Sequence, residues 1–190
     1  MRLAAVAWLP LLAGCLSSAS LKTPANWLLA SDSAEFAVAS KPELGEARLA
    51  VVAVRAPYDG RSLAVLRPDG SIAFDPYNQF AAVPSALAKG AALDVLRRTG
   101  RFVGVQPAVT TADVRTTLEV VVDELALDCR AEGERQASVR LTLVLIRDRQ
   151  VVSARTGEAR ADASAGDYSA AFGTAFAKAL AGAAARLNVR

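Results

Sequence analysis

Residues 137–146 read ASVRLTLVLI, and apolar side chains occupy every second position of this stretch. Successive side chains of an extended strand point to opposite faces, so the alternation predicts a strand with one face in a core. The inward set is apolar: Ala137, Val139, Leu141, Leu143 and Leu145. The outward set is polar at Ser138, Arg140 and Thr142. The stretch is typical of a sheet that has one covered face.

Two longer runs flank this strand. Residues 114–129 precede it, and residues 151–161 follow it after a turn at residues 148–150. Neighbouring runs of this kind are expected to pair as an antiparallel meander. Within residues 114–129, the apolar positions change from even to odd numbers after Asp123. Because one extra residue turns every later side chain to the other face, a β-bulge is predicted near Asp123.

Further strands are predicted upstream of the meander. Residues 47–55 (ARLAVVAVR) are apolar on both faces, which favours a buried central strand. Residues 62–66 and 71–74 flank a Pro-Asp-Gly sequence at residues 68–70. This order predicts a hairpin, because proline presets its φ angle and glycine accepts a positive φ.

Three weaker signals complete the set of strands. Residues 102–105 are interpreted as a short strand that Pro107 closes. Trp27, Leu28 and Leu29 form an apolar cluster that would add an edge strand. Residues 31–46 are mixed in character and are interpreted as loop, with room for a short strand over residues 35–38.

Two segments have helical periodicity. Residues 84–99 begin with Pro84 and repeat apolar side chains at intervals of three and four, and Gly100 is expected to end this helix. Residues 167–188 carry an aromatic and aliphatic stripe, with Asp167 as the candidate N-cap. The stripe is interpreted as packing on the sheet, and a contact surface for a partner helix is the alternative.

Together these elements predict an α+β fold. The expected architecture is an antiparallel or mixed sheet of about six or seven strands with two helices packed on it. A single domain over residues 27–190 accommodates all of them, since the 190-residue chain is of ordinary single-domain length.

The start of the chain has the features of an export signal. A positive start at Arg2 precedes the apolar residues 3–12, and residues 12–15 read LAGC. Residues 1–14 are therefore interpreted as a signal peptide, since the apolar run is too short to span a membrane. The LAGC sequence is similar to the lipobox of bacterial lipoproteins, which implies lipid attachment at Cys15. An ordinary secretory signal with a coincidental cysteine is the alternative.

Residues 15–26 are small and polar, and they are interpreted as a flexible tether between lipid and domain. More than one acyl chain is needed to hold a protein stably at a bilayer, and a lipoprotein cysteine would supply them. If Cys15 carries lipid, Cys129 has no disulfide partner within the chain. Cys129 is then expected to be buried rather than reactive.

Composition excludes several classes of function. The chain has no His, which excludes Ser-His-Asp triads, Cys-His dyads and zinc sites with His ligands. A net charge of +3 is too small to indicate nucleic-acid binding. The sequence also contains no P-loop, Gly-x-Ser-x-Gly or calcium-loop pattern. We expect no enzymatic activity, no cofactor and no metal.

Aromatic residues and arginines are the remaining candidates for function. Four aromatic residues lie close to predicted turns and are candidate residues of a partner interface: Tyr58, Phe74, Tyr77 and Phe80. The alternative is that they cover the end of the core. Five arginines cluster on two predicted strands and their turns: Arg130, Arg135, Arg140, Arg147 and Arg149. A solvated face of mixed charge is the preferred interpretation, and contact with anionic lipid is the alternative.

Several short motifs in a fixed order give the chain a family resemblance. They are the lipobox at Cys15, the cluster at residues 27–29, APYDGR at residues 56–61, FDPYNQF at residues 74–80, LDVLRRTGRFVGV at residues 93–105, and the Asp167-Tyr168 helix start. In this order the motifs resemble the ABC-type transport auxiliary lipoprotein family, which includes PqiC. The chain departs from many members at Phe80, where they have Trp.

The resemblance implies a role rather than a chemistry. Members accompany ABC transporters of the mammalian-cell-entry (MCE) type, which move lipids or apolar compounds between membranes. The chain would dock the periplasmic substrate-binding subunit at the outer membrane, and self-association into rings is implied as well. Two alternatives remain open: a periplasmic lipoprotein that binds and activates a cell-wall synthase, and a hydrolase with an unfamiliar site.

Overall fold

The structure is a computed structural model that describes residues 24–110 and 113–188. The predicted signal peptide and Cys15 lie outside these residues. No helix within the described ranges has the length and apolar character needed to cross a bilayer.

Eight strands and two helices form the described part of the domain. In chain order they are β1 (Ala25–Trp27), β2 (Leu44–Val54), β3 (Ser62–Leu66), β4 (Ile72–Phe80), α1 (Pro84–Arg98), β5 (Phe102–Pro107), β6 (Thr116–Asp128), β7 (Gln136–Arg147), β8 (Gln150–Asp162) and α2 (Tyr168–Ala185). All eight strands belong to one mixed sheet, so the predicted α+β class is confirmed. The strand count is slightly higher than the predicted six or seven, and β1 adds the outermost strand beside β4.

The predicted meander and hairpin are both present. β6, β7 and β8 pair antiparallel along their length, and β3 pairs antiparallel with β4. The remaining ladders are parallel: β1 with β4, β2 with β5, and β6 with both β2 and β3. The parallel pairs make the sheet mixed, and they bring the N-terminal half of the chain onto the meander.

β6 is the strand on which the sheet is organised. One edge of β6 pairs with β7, while the other edge pairs first with β2 and then with β3. The register of the β6–β7 ladder shifts between Val122 and Glu124, which confirms the bulge predicted near Asp123. Arg55, at the end of β2, lies 3.3 Å from the Asp123 carboxylate. The bulge therefore lies where β6 changes partner.

Both helices lie on one face of the sheet. α2 contacts β7 and β8, and α1 contacts β2 and β5. The core between these layers includes Phe172 and Phe176 of α2 and the inward set of β7, all with 0–1% exposure. The opposite face carries no helix of the described residues, and we call it the open face. The one-sided alternation of β7 follows from this layering.

The helix ends agree with the sequence. Pro84 begins α1, and Gly100 follows its end with a φ of +65°. The Asp167 side chain caps α2 by accepting a hydrogen bond from the amide of Ala170 at 3.1 Å. α2 is rich in alanine, which lets its backbone come close to β8 at Gly157.

The N-terminal segment differs from the prediction in two places. β1 begins at Ala25, so the last residues assigned to the tether are part of the sheet. Residues 35–38 form no strand. Arg98 holds the chain before them by donating hydrogen bonds to the carbonyl oxygens of Ser31 and Ala34, and its guanidinium lies 4.9 Å from the Phe36 ring centroid. These contacts replace a strand ladder as the attachment of this segment.

Candidate functional site

An apolar patch lies on the open face where β3, β4 and β6 meet. Six residues form this open-face patch: Tyr58, Ala64, Leu66, Ile72, Phe74 and Ala126. Ala64, Leu66 and Ala126 are buried, with Tyr58 packed against them. Phe74 is the cross-strand partner of Ala64, and Ile72 that of Leu66, so both share this face. Phe74 is 51% exposed, which leaves a large apolar surface uncovered.

The structure separates the four aromatic residues that the sequence singled out. Tyr58 and Phe74 belong to the open-face patch, whereas Tyr77 is exposed further along β4, where its amide donates a hydrogen bond to the Asp75 carboxylate at 2.8 Å. Phe80 is 3% exposed and packs edge-on against Phe172 of α2 at 5.7 Å between ring centroids. Phe80 therefore belongs to the core and offers no surface to a partner, so its assignment as an interface residue is corrected.

Local contacts explain why Phe80 points inward. The Arg61 side chain donates to the Phe80 carbonyl at 2.9 Å and to the Asn26 side chain at 3.1 Å. The Trp27 indole donates to the Asn78 side chain at 3.1 Å, and β1 lies parallel to β4. Two of the motifs quoted above, APYDGR and FDPYNQF, thus meet the Trp27 cluster at one edge of the sheet. Their role at this edge is structural.

A charged groove adjoins the open-face patch. The groove has a volume of about 450 Å³, and its charged and polar lining comes from β6 to β8: Glu124, Arg130, Ser138, Arg140, Glu158 and Arg160. Ser138 donates a hydrogen bond to Glu124 at 2.6 Å, and Arg140 lies 3.8 Å from the same carboxylate. Ala126 of the patch is the cross-strand partner of Ser138 in the groove. Tyr58 lies near the groove as well, since its pKa is raised by partial burial and by the nearby Glu124 carboxylate.

Asp128 lies beside this groove and is held by two arginines. Its carboxylate accepts hydrogen bonds from Nε and Nη2 of Arg130 at 2.9 and 2.7 Å and lies 3.4 Å from Arg160. The Asp128 side chain is 9% exposed, whereas those of Arg130 and Arg160 are 47% and 57% exposed. The acid is thus covered by the bases, and guanidinium groups form the outer surface of this cluster.

The carboxylate of Asp128 is expected to stabilise the fold in a pH-dependent way. Hydrogen bonds from Arg130 lower the pKa of Asp128 from 3.8 to about 2 against the opposing effect of burial. A carboxyl with a lowered folded-state pKa stabilises the fold above its unfolded pKa, and this contribution is lost as the pH falls from about 4 through 2. Asp128→Asn should therefore cost about 1–2 kcal/mol of unfolding free energy at pH 7, discounted for the exposed arginines, and little at pH 2.

Urea denaturation at pH 7 and at pH 2 measures this difference. Asp32→Asn is a matched control, because the Asp32 side chain is exposed and lies outside the arginine cluster around Asp128. Equal losses for Asp128→Asn at both pH values would contradict the assignment.

Cys129 lies at the end of β6 next to this cluster. Its amide donates to the Leu66 carbonyl at 3.0 Å, and the side chain is half-buried rather than fully buried as predicted. Burial is the main cause of its raised pKa, which disfavours the thiolate. The strand ends at Asp128, and Cys129, just past its end, packs against the core as a partly buried side chain.

The sequence identified part of this surface. Arg130 and Arg140 were singled out, but Ile72, Glu158 and Arg160 were not, because only the strand register places them beside the others. The register of β7 with β8 sets Arg140 opposite Glu158 and Ser138 opposite Arg160. Within the described residues, no group of three or more acidic, Cys or His side chains is arranged to hold a metal ion. The surface combines apolar contact area with guanidinium donors, which suits macromolecular recognition.

Comparison with known proteins establishes the fold. No family model and no curated protein matches the chain. Among solved structures, a Xanthomonas campestris protein of the DUF330 family has 17% identity and a TM-score of 0.61, with 80% of this chain and 87% of that chain covered. An uncharacterised protein has 16% identity and a TM-score of 0.57, with 80% and 95% covered. The chain therefore shares its fold with a DUF330 protein.

A third similar structure is the PelC dodecamer from Paraburkholderia phytofirmans. It has 13% identity and a TM-score of 0.46, with 82% of this chain and 96% of that chain covered. A TM-score at this level carries no conclusion about the assembly of this chain.

Proposed function

We propose that this chain is a lipid-anchored, non-enzymatic accessory subunit of an MCE-type ABC transport system. In this proposal, acyl chains on Cys15 hold the domain at the periplasmic face of the outer membrane. The domain docks the periplasmic substrate-binding subunit there and so supports the movement of lipids or other apolar compounds between membranes. It needs neither a metal nor a cofactor for this role.

The open-face patch is the observation that carries the proposal. Phe74 and Ile72 are exposed side by side on a sheet face that no helix in the described part of the chain covers, above a buried floor of Ala64, Leu66 and Ala126. An exposed aromatic on a rigid apolar floor is typical of the energetic centre of a protein interface. The motif resemblance supplies the identity of the partner, and the DUF330 fold is compatible with an accessory role.

The docking prediction concerns Phe74. The full chain is extracted in detergent after mild crosslinking, and the recovered MCE-type subunit is quantified by mass spectrometry. Phe74→Asp should reduce recovery of that subunit at least about tenfold, because a charge would have to be desolvated at the centre of the contact. The fold should be unaffected, since the side chain is half exposed.

Val109→Asp is the matched control. Val109 is strongly exposed in the turn after β5, away from the open-face patch, and this variant should recover the subunit as the wild type does. Equal recovery with Phe74→Asp would place the interface elsewhere. Recovery of a penicillin-binding protein instead would favour the cell-wall synthase alternative.

The anchor is tested on the same material. The intact mass of the native protein should correspond to a chain that begins at Cys15 and carries a diacylglyceryl group and an N-acyl chain. A mature N-terminus without fatty acids would overturn the proposed anchor.

A further inference from the structure

β8 is an edge strand of 13 residues with one described neighbour. It pairs with β7 from Gln150 to Asp162, and no other strand of the described residues pairs with it. An unpaired edge exposes a row of backbone donors and acceptors, and proteins normally block such an edge or use it for pairing.

Two hydrogen bonds show which backbone groups face outward. The amide of Ala163, just past β8, donates to the carbonyl of Arg135 at 2.8 Å, so odd-numbered positions face β7. The Thr156 carbonyl accepts a hydrogen bond from the Arg186 side chain beyond α2, so even-numbered positions face away. Because backbone direction alternates along a strand, Glu158, Arg160 and Asp162 also present their amides and carbonyls to the free edge.

The free edge has a blocked part and an open part. The Arg186 side chain donates a hydrogen bond to the Thr156 carbonyl, so this carbonyl already has a partner. The Arg155 side chain donates in turn to the Arg186 carbonyl at 2.8 Å. These contacts cover the centre of β8. Beyond them, the exposed side chains of Glu158 and Arg160 lie two residues apart on the open face. The charges have opposite sign, and Ala159 between them is small.

We propose that β8 pairs antiparallel with β8 of a second copy of this chain, about a twofold axis at Ala159. An axis at this residue sets Glu158 opposite Arg160 of the partner subunit, and Arg160 opposite the partner's Glu158. Both residues have outward-facing backbone groups, so four backbone hydrogen bonds form between the strands. The sheet then continues from one subunit into the other.

Charge complementarity indicates that a second copy of this chain, rather than another strand, pairs with the free edge of β8. In an antiparallel ladder, directly opposite side chains interact, and like charges there are destabilising. The twofold axis turns one Glu-x-Arg sequence into two cross-strand ion pairs, which a strand of unrelated sequence would not supply. Isologous contacts of this kind are the commonest in protein oligomers. The blocked Thr156 carbonyl limits the pairing to the open part of the edge.

A charge exchange tests this pairing on the full chain in detergent. Sedimentation equilibrium should show a dimer for the wild type, and Glu158→Arg should weaken its association at least about tenfold by placing like charges opposite each other. Arg160→Glu should weaken the dimer similarly. The double variant E158R/R160E should restore association to within about threefold of the wild type. Raising the salt concentration should weaken the wild-type dimer, since the ion pairs are exposed.

Hydrogen exchange provides a second measurement, since Arg160 also pairs with Asp128 and its variant could destabilise the fold. The amides of Glu158 and Arg160 should be protected at high protein concentration and exchange rapidly on dilution, whereas that of Ala154 should exchange rapidly at both. A monomer at all concentrations, or an oligomer that the single variants Glu158→Arg and Arg160→Glu leave unchanged, would overturn the pairing. Neither result depends on lipid attachment or on the transport partner.

Discussion

Gly157→Ala is expected to destabilise the domain by about 3–5 kcal/mol, which is a large part of the stability of a domain of this size. A Cβ atom at this position of β8 would overlap the carbonyl oxygen of Ala179 and lie 2.7 Å from its carbonyl carbon. Both atoms belong to the backbone of α2, so no change of side-chain rotamer can move them out of the way. The helix would have to lift from the sheet, which would open the core around Phe172 and Phe176.

Thermal or urea unfolding followed by circular dichroism measures this loss. Gly182→Ala is a matched control in α2, because a Cβ atom there has no neighbour within 4 Å and alanine favours the helix by up to about 1 kcal/mol. The control should be neutral or slightly stabilised. If the two variants had the same midpoint, the close approach of α2 to β8 would be wrong.

Gly173→Ala is expected to have the second largest effect, with a different character. A Cβ atom here would overlap the carbonyl group of Ala30 and lie 2.8 Å from the Ala30 amide nitrogen. This part of the chain lies outside the meander, and its contacts with α2 include the hydrogen bond from the Ser169 hydroxyl to the Leu28 carbonyl at 2.9 Å. The N-terminal segment should therefore detach from α2 before the sheet unfolds.

Amide exchange at Ala81 reports this detachment, because its amide donates to the Trp27 carbonyl at 2.8 Å in the folded state. Its protection should fall at least about tenfold in Gly173→Ala, while amides of the β6–β7 ladder remain protected. Gly90→Ala in α1 is the control, since its Cβ atom would lie in open space. Unchanged protection of Ala81 would contradict the expected detachment, and uniform loss across the sheet would mean that the segment is integral to the core.

Much of the fold could be predicted because its signals are local. Three of these signals each depend on only a few neighbouring residues. They are the alternation in β7, the shift of apolar positions after Asp123 and the Pro-Asp-Gly turn. The two glycines above carry no such signal. A glycine required by close approach of another backbone looks the same in sequence as one that merely tolerates replacement, and only the packed structure separates Gly157 from Gly182.

The candidate site was harder to predict from the sequence, because its residues are brought together only by the packed structure. Four aromatics close in sequence suggested one surface, but the strand places Phe74 on the open face and Phe80 in the core. Residues 35–38 have the apolar content of a strand but join no ladder, and Arg98 holds the chain beside them through hydrogen bonds to the backbone. Glu158 and Arg160 gained significance only from the register of β8, which is a property of the whole sheet.

The position of β6 between three strands has a consequence for how the chain acquires its shape. Ala47 of β2 pairs with Thr116 of β6, so β2 leaves the ribosome long before its neighbour exists. Such distant pairings require the chain to close a large loop, and the entropy of loop closure is lost before the strand contacts form. Domains with many such pairings fold slowly. The nascent N-terminal half would need protection during synthesis, until the meander is available for it to pair with.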